Sequence, residues 1–225
     1  MTALVGARSL RKSFAPTEAL RGVSVDIEAG ETVAVTGPSG SGKSTLLLCL
    51  AGILRPEAGE VVYDGRRLDL LGEADRTRLR RREIGVVLQF GQLVPELTAV
   101  QNVALPLLLD KHDRASADRA ARSWLERLEA TDLADQVPAE LSGGEAQRVA
   151  VARALVTGPK VVFADEPTGS LDTVAGEQVL GQLLGAVRDT GATLVIVTHD
   201  NRVAARASRE IVLRDGAVET AGVPS

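Results

Sequence analysis

The stretch GPSGSGKST, Gly37–Thr45, follows the short apolar run TVAVT and leads into KSTLLLCLAGIL. It fits G-x-x-x-x-G-K-[ST], and it stands where that pattern acts, after a predicted strand and before a predicted helix. Its glycines let main-chain N–H groups curl around phosphate oxygens. Lys43 places a cation on the outer phosphates, and the Ser44 hydroxyl can ligate Mg²⁺. The whole loop is therefore the candidate cradle for a nucleoside triphosphate: Gly37, Ser39, Gly40, Ser41, Gly42, Lys43, Ser44 and Thr45. The glycine spacing does not fit G-x-G-x-x-G, so a dinucleotide site is not expected.

Working outward, Val23, Val25 and Ile27 alternate with Ser24 and Asp26, the period of a half-buried strand, and EAGE at Glu28–Glu31 turns the chain. The helix opened by Lys43 is expected to run to Arg55-Pro56, where proline ends the pattern. Ile84–Leu88, Lys160–Ala164 and Thr193–Val197 are further β-rich runs, each followed by a polar residue: Gln89, Asp165 and Thr198. Ala117, Ala120, Ala121, Trp124, Leu125 and Leu128 recur on one helical face. Together these patterns predict an α/β fold with a mostly parallel central sheet, an antiparallel β part near the N-terminus and an inserted α-helical lobe. The core covers about residues 1–89 and 158–225, the lobe about 90–157, and ligands belong at the carboxyl ends of the strands.

Composition narrows the function. At 225 residues, 44% apolar and 25% charged, the chain suits one globular unit. A net charge of −4 and 2% aromatic residues disfavour a nucleic-acid partner, which needs a basic face and usually stacking rings. Cys49 is the single cysteine, so no internal disulfide is possible, and it reads as packing. The N-terminal residues show no secretion leader, and the apolar run Leu46–Leu54 is too short to span a bilayer. Only four of the 26 basic residues are lysines. The basic run Arg76–Glu83 reads as a solvated helix face or a face toward anionic headgroups.

A second acidic strand end, KVVFADEP, sets Asp165 beside Glu166. Phosphoryl transfer needs one acid near the metal and another group to orient or deprotonate the attacking water. Asp165 is read as the metal ligand and Glu166 as the residue acting on water.

With these motifs in place, the chain resembles the nucleotide-binding subunit of ATP-binding cassette transporters. GPSGSGKST, Gln89 after a strand, LSGGE at Leu141–Glu145, VVFADEP, SLD at Ser170–Asp172 and His199 in VIVTHD stand in that family's order. The resemblance implies ATP and Mg²⁺ as ligands. It also implies that Ser142, Gly143 and Gly144 open a helix that meets the γ-phosphate of ATP held by the P-loop of a second copy. Unpaired N–H groups and the positive end of a helix dipole favour an anion there, by roughly 0.3–1 kcal/mol when exposed. Gln89 is implied to sense the metal and the water, His199 to contact the γ-phosphate, and Asp172 to reach across the dimer. Phe14 stands where the family stacks a ring, commonly tyrosine, on adenine; phenylalanine keeps the stacking face but loses the hydroxyl, and a core Phe is the alternative. Likewise Asp172 reads equally as a helix cap, and His112 as a surface histidine.

The runs IGVVLQFGQLVPELTAVQNVALPLLL and DEPTGSLDTVAGEQVL resemble the branch serving lipoprotein release, macrolide export and antimicrobial-peptide resistance. Leu88 stands where an aromatic is frequent, and Ala146 replaces a common glutamine. The branch implies a head-to-tail homodimer on the cytoplasmic face of the membrane, attached through an integral-membrane permease. The segment from Gln89 to Leu109 is expected to border the groove for a short permease helix, with Leu93, Val94 and Leu97 as contact surface or lobe core. Competing readings are an ATPase module regulating a membrane-bound cell-wall or cell-division complex, which uses the same chemistry, and a small P-loop kinase, which leaves LSGGE and SLD unexplained. A DNA-repair ATPase needs long coiled-coil arms that the sequence lacks. Lys43→Ala is expected to weaken ATP binding at least about tenfold, read by titrating a fluorescent nucleotide, if Lys43 supplies the charge-assisted bonds assigned to it.

Overall fold

The computed structural model describes residues 3–89 and 91–219. In chain order the strands are β1 (Val5–Phe14), β2 (Thr17–Ile27), β3 (Thr32–Thr36), β4 (Ala58–Tyr63), β5 (Arg66–Arg67), β6 (Ile84–Val87), β7 (Val161–Asp165), β8 (Thr193–Val197), β9 (Arg209–Arg214) and β10 (Ala217–Val218). The helices are α1 (Lys43–Leu50), α2 (Glu73–Glu83), α3 (Ala99–Leu109), α4 (Arg114–Arg127), α5 (Gly143–Leu155), α6 (Thr173–Thr190) and α7 (Asn201–Ala204). They gather into two compact units, one formed by the chain up to Arg76 and from Val195 onward, the other by Thr77–Leu194.

The first unit carries the antiparallel sheet expected near the N-terminus, in the order β2-β1-β4-β5. The alternation read from the sequence falls in β2, where Val23, Val25 and Ile27 are buried while Ser24 and Asp26 face solvent. In a pleated strand a period of two sends one set of side chains to each face, so this pattern fixes which face meets the core. The same unit contains β3 paired in parallel with β9, Val33 to Thr36 opposite Arg209 to Val212. The Arg209 guanidinium forks onto Glu31 at 2.6 and 3.0 Å, tying the start of β9 to the turn before β3. That bond holds the Glu31 carboxyl below its usual range.

Helix α1 corrects one expectation: it stops at Leu50, well short of Arg55-Pro56. Gly52 takes a left-handed φ of 66°, and the Ile53 and Leu54 N–H groups both return to the Leu48 carbonyl at 2.9 and 3.0 Å. A left-handed glycine of this kind satisfies the last carbonyls of a helix and ends it before any proline is needed. Cys49 is buried in α1 as expected, and burial pushes its thiol up to about 11.

In the second unit β6 pairs in parallel with β7, Ile84 to Val87 opposite Val161 to Ala164. Of the stripe marked from the sequence, helix α4 buries Ala117, Ala121 and Leu125, and Leu128 is buried at its cap, whereas Ala120 and Trp124 are half-buried. Helix α3 opens with a capping box between Thr98 and Gln101. Behind it the fully buried Asn102 accepts the Val94 N–H at 2.7 Å and donates to the Val94, Leu97 and Thr98 carbonyls. Leu93, Val94 and Leu97 are half-buried on this tied segment. The basic run lies in α2, and its last arginines serve the fold: Arg82 shares its Nε–H between the two Asp110 carboxylate oxygens at the end of α3, and Arg81 donates to the Leu109 carbonyl. Among the described residues no helix is long and apolar enough to cross a membrane.

Strand β6 and helix α5 approach so closely that a Cβ added at Gly85 meets the Ala154 carbonyl oxygen at 2.5 Å. Gly85→Val is therefore expected to lower unfolding stability by about 1–3 kcal/mol through overpacking. A urea midpoint equal to that of the parent protein contradicts this close approach.

Candidate functional site

The residues singled out by sequence are distributed over both units. Phe14, the Gly37–Thr45 loop and His199 belong to the first; Gln89, Ser142–Gly144, Asp165, Glu166 and Asp172 belong to the second.

The loop between β3 and α1 is wrapped around its own lysine. Lys43 is 8% exposed, and its ammonium donates to the Gly37 and Pro38 carbonyls at 2.9 Å each. Gly37, Gly40 and Gly42 all hold positive φ, at 136°, 78° and 98°. Two of them are also demanded by crowding, since a Cβ on Gly37 would lie 1.9 Å from the Leu213 carbonyl oxygen and one on Gly42 would lie 2.2 Å from that of Ala19. Only Gly40, with open space around it, is required by backbone conformation alone. Gly216 donates its N–H to the Ser41 carbonyl at 3.1 Å and closes the wall.

The Ser41 hydroxyl is buried and has no hydrogen-bond partner. Such an orphan costs about 1–3 kcal/mol unless something supplies an acceptor, and a phosphate oxygen is the acceptor this loop is built to receive. Among the described residues no group of three or more His, Cys, Asp or Glu could hold a metal by itself. Mg²⁺, the metal this family uses, arrives with nucleotide phosphates and is held through one or two protein oxygens.

Phe14, at the end of β1, is 50% exposed, so it is no core ring; the Lys12 ammonium lies 5.4 Å from its centroid. His199 is exposed on a stiff turn after β8. Before it, the Thr198 N–H bonds the Val35 carbonyl at 3.1 Å; after it, the Asp200 N–H bonds the Thr198 hydroxyl at 3.0 Å. Asp200 caps α7, and the Arg202 guanidinium holds its carboxyl down to about 2.

In the second unit Asp165 ends β7 and Glu166 follows with φ 45°, a left-handed conformation that a non-glycine residue seldom holds. The Glu166 carbonyl accepts the Gly169 N–H at 3.1 Å, which turns the chain toward Asp172. Asp172 is a helix cap, as its plainer reading held: its Oδ1 accepts the Val174 and Ala175 N–H groups at 3.0 Å each.

Ser142 opens α5 through a capping box. Its N–H and its hydroxyl both donate to the Glu145 carboxylate at 2.7 Å, and the Glu145 N–H returns to the hydroxyl at 3.4 Å. The role of Glu145 is legible in the sequence after all, because S-x-x-E before an apolar run is the signal for this box. The two glycines of the motif also have a packing role. A Cβ at Gly143 would come 3.3 Å from Leu171, and one at Gly144 the same distance from Ala175, so the starts of α5 and α6 lie against each other.

A glycine-wrapped lysine loop between strand and helix, in an α/β chain with parallel strand pairs, defines a P-loop nucleotide-binding protein. The chain belongs to the ABC transporter family, whose model matches residues 20–169. It is 42% identical to the lipoprotein-releasing system ATP-binding protein LolD of Porphyromonas gingivalis, over 95% of this chain and 97% of that one. With LolD of Syntrophotalea carbinolica it shares 45% identity, covering 96% and 97%. Among solved structures it matches the ATP-binding cassette MJ0796, a dimer in a post-hydrolysis state bound to ADP and phosphate, with a TM-score of 0.89 and 39% identity over 96% and 97% of the two chains. As a member of this family it is an ATPase.

The bonds from Ser142 hold the Glu145 carboxyl below its usual range. A lowered folded-state pKa adds stability that is present above the unfolded value, near about 4.3, and is lost as pH falls through the folded one. Glu145→Ala is expected to cost about 1 kcal/mol at pH 7. The gap to the parent should close as the solution is taken below about pH 4, and a gap independent of pH would separate Glu145 from the cap.

Proposed function

We propose that this chain is the ATP-hydrolysing subunit of a transporter or mechanotransmission machine. Two copies close head to tail on two ATP molecules, and hydrolysis reopens them. The observation that carries the reading is the pair of anion-ready helix starts in one chain. One is the Lys43 loop with its orphaned Ser41 hydroxyl; the other is the capped, exposed start of α5 at Ser142. A P-loop kinase has no use for the second.

In this reading the amides of the loop and Lys43 bind the β- and γ-phosphates, while Ser44 and Asp165 offer oxygens to Mg²⁺, which neutralises phosphate charge. Glu166 accepts a proton from the attacking water, and its left-handed backbone fixes the carboxylate's starting point just past the strand end. Gln89 orients the metal and water, and His199 contacts the γ-phosphate. The second copy contributes Ser142, Gly143 and Gly144 to that phosphate, and Asp172 shapes the shared pocket. Phe14 offers its exposed face to adenine. Helices between about residues 90 and 157 act as the lobe within one ATPase domain.

The partner in the membrane is a permease of the kind served by lipoprotein-releasing systems, which holds the chain at the cytoplasmic face. A groove of about 450 Å³ between α3 and α4, lined by Leu97, Val100, Ala104 and Leu108 together with the charged Arg114, Asp118, Arg122 and Asp135, suits a short amphipathic permease helix.

Glu166→Gln is expected to keep ATP binding, slow turnover by about a hundredfold or more, and leave an ATP-dependent dimer visible by size-exclusion chromatography with light scattering. Normal turnover in that variant would falsify the role given to Glu166, and a strictly monomeric ATP complex would count against the shared pocket.

A further inference from the structure

The turn that carries Gln89 is fastened to the helix that Ser142 opens. The buried Gln147 amide of α5 donates to the Leu88 carbonyl at 3.4 Å, and the Gly91 N–H closes the turn onto that same carbonyl at 3.1 Å. Six residues along α5, Arg153 donates Nη2 to the Gly91 carbonyl at 2.7 Å and Nη1 to the Gln92 carbonyl at 2.9 Å. The turn is pressed close to the helix, since a Cβ added at Gly91 would lie 3.1 Å from the Ala146 carbonyl oxygen. Gly91 and Gln92 both sit at left-handed φ, 68° and 45°, and a non-glycine residue keeps such a conformation only where its surroundings hold it.

Arg153 is an uncommon choice for this place. Burial alone lowers its pKa, with no carboxylate contributing, and among the described residues its guanidinium bonds only those two carbonyls. Paired guanidinium donors grip in a fixed planar fork, so they define the position of the group they hold better than one flexible ammonium does.

We infer that Arg153 is a positioning residue: its fork clamps the Gly91–Gln92 turn onto α5, so that Gln89 and the Ser142 end of that helix move as one body. The inference rests on the reading of Gln89 as the group that orients metal and water. A rigid helix joined at two points to a short turn transmits displacement along its axis, whereas a turn held only by its own chain does not. Engagement of Ser142 by a phosphate then reaches Gln89 through α5.

A double-mutant cycle in the full chain tests this, using Arg153→Met, which keeps an apolar stem, together with Gln89→Ala, with turnover scaled to folded protein. Arg153→Met is expected to lower kcat about tenfold and to raise the Mg²⁺ concentration for half-maximal rate. KM for ATP should stay within about twofold, and in the double variant the Arg153 change should add less than about twofold to the loss from Gln89→Ala. Arg153→Lys, which keeps the cation but not the fork, should recover part of the rate, and it carries the same cycle if the Met variant fails to fold. Additive losses, or a lowered Tm with unchanged kcat and Mg²⁺ dependence, overturn the clamp while leaving the reading of Gln89 intact. Full turnover in Gln89→Ala overturns both.

Discussion

Main-chain N–H groups in the first turn of a helix have no carbonyl behind them, and the structure turns on how this chain handles that shortage at α1 and at α5. At α1 the preceding loop curls so that the Lys43 ammonium is held by the Gly37 and Pro38 carbonyls, and the buried Ser41 hydroxyl is left without an acceptor. At α5 the shortage is met in part from within, by Ser142 and Glu145 bonding each other's amides. One start is wrapped and deep, the other capped and open. An anion needs both kinds if it is to be held first and then covered.

The glycines show how packing and chemistry share one residue type. Gly37 and Gly42 permit the curl, but carbonyls of β9 and β2 also stand where their side chains would be. Gly143 and Gly144, which the family resemblance places at a phosphate, also allow α5 to seat against Leu171 and Ala175. A substitution at these sites therefore disturbs the framework and the ligand surface together, which makes a loss of activity there a weak assignment of role. Lys43, Glu166 and Arg153 are cleaner probes, because what each bonds can be separated from what each packs against.

Motion in such a molecule depends on which segments are tied. Asn102 fixes the stretch before α3 with four bonds, and Arg153 and Gln147 fix the stretch after β6. Both ties reach main-chain carbonyls, so they constrain backbone instead of single side chains.

The sequence by itself determined the loop around Lys43, the acidic end of β7, the stripe of α4 and the alternation of β2, because each is written in neighbouring residues as a spacing or a period. It misplaced the end of α1, since Gly52 could be recognised as a stop only by the φ it adopts. Tertiary structure alone decided that the arginines of α2 hold the end of α3 and that Arg153 grips the turn beyond Gln89. Arg153 and Gly91 lie 62 positions apart in the chain. No periodicity reaches across such a gap; only the close packing of α5 on β6 brings a half-buried guanidinium to these carbonyls.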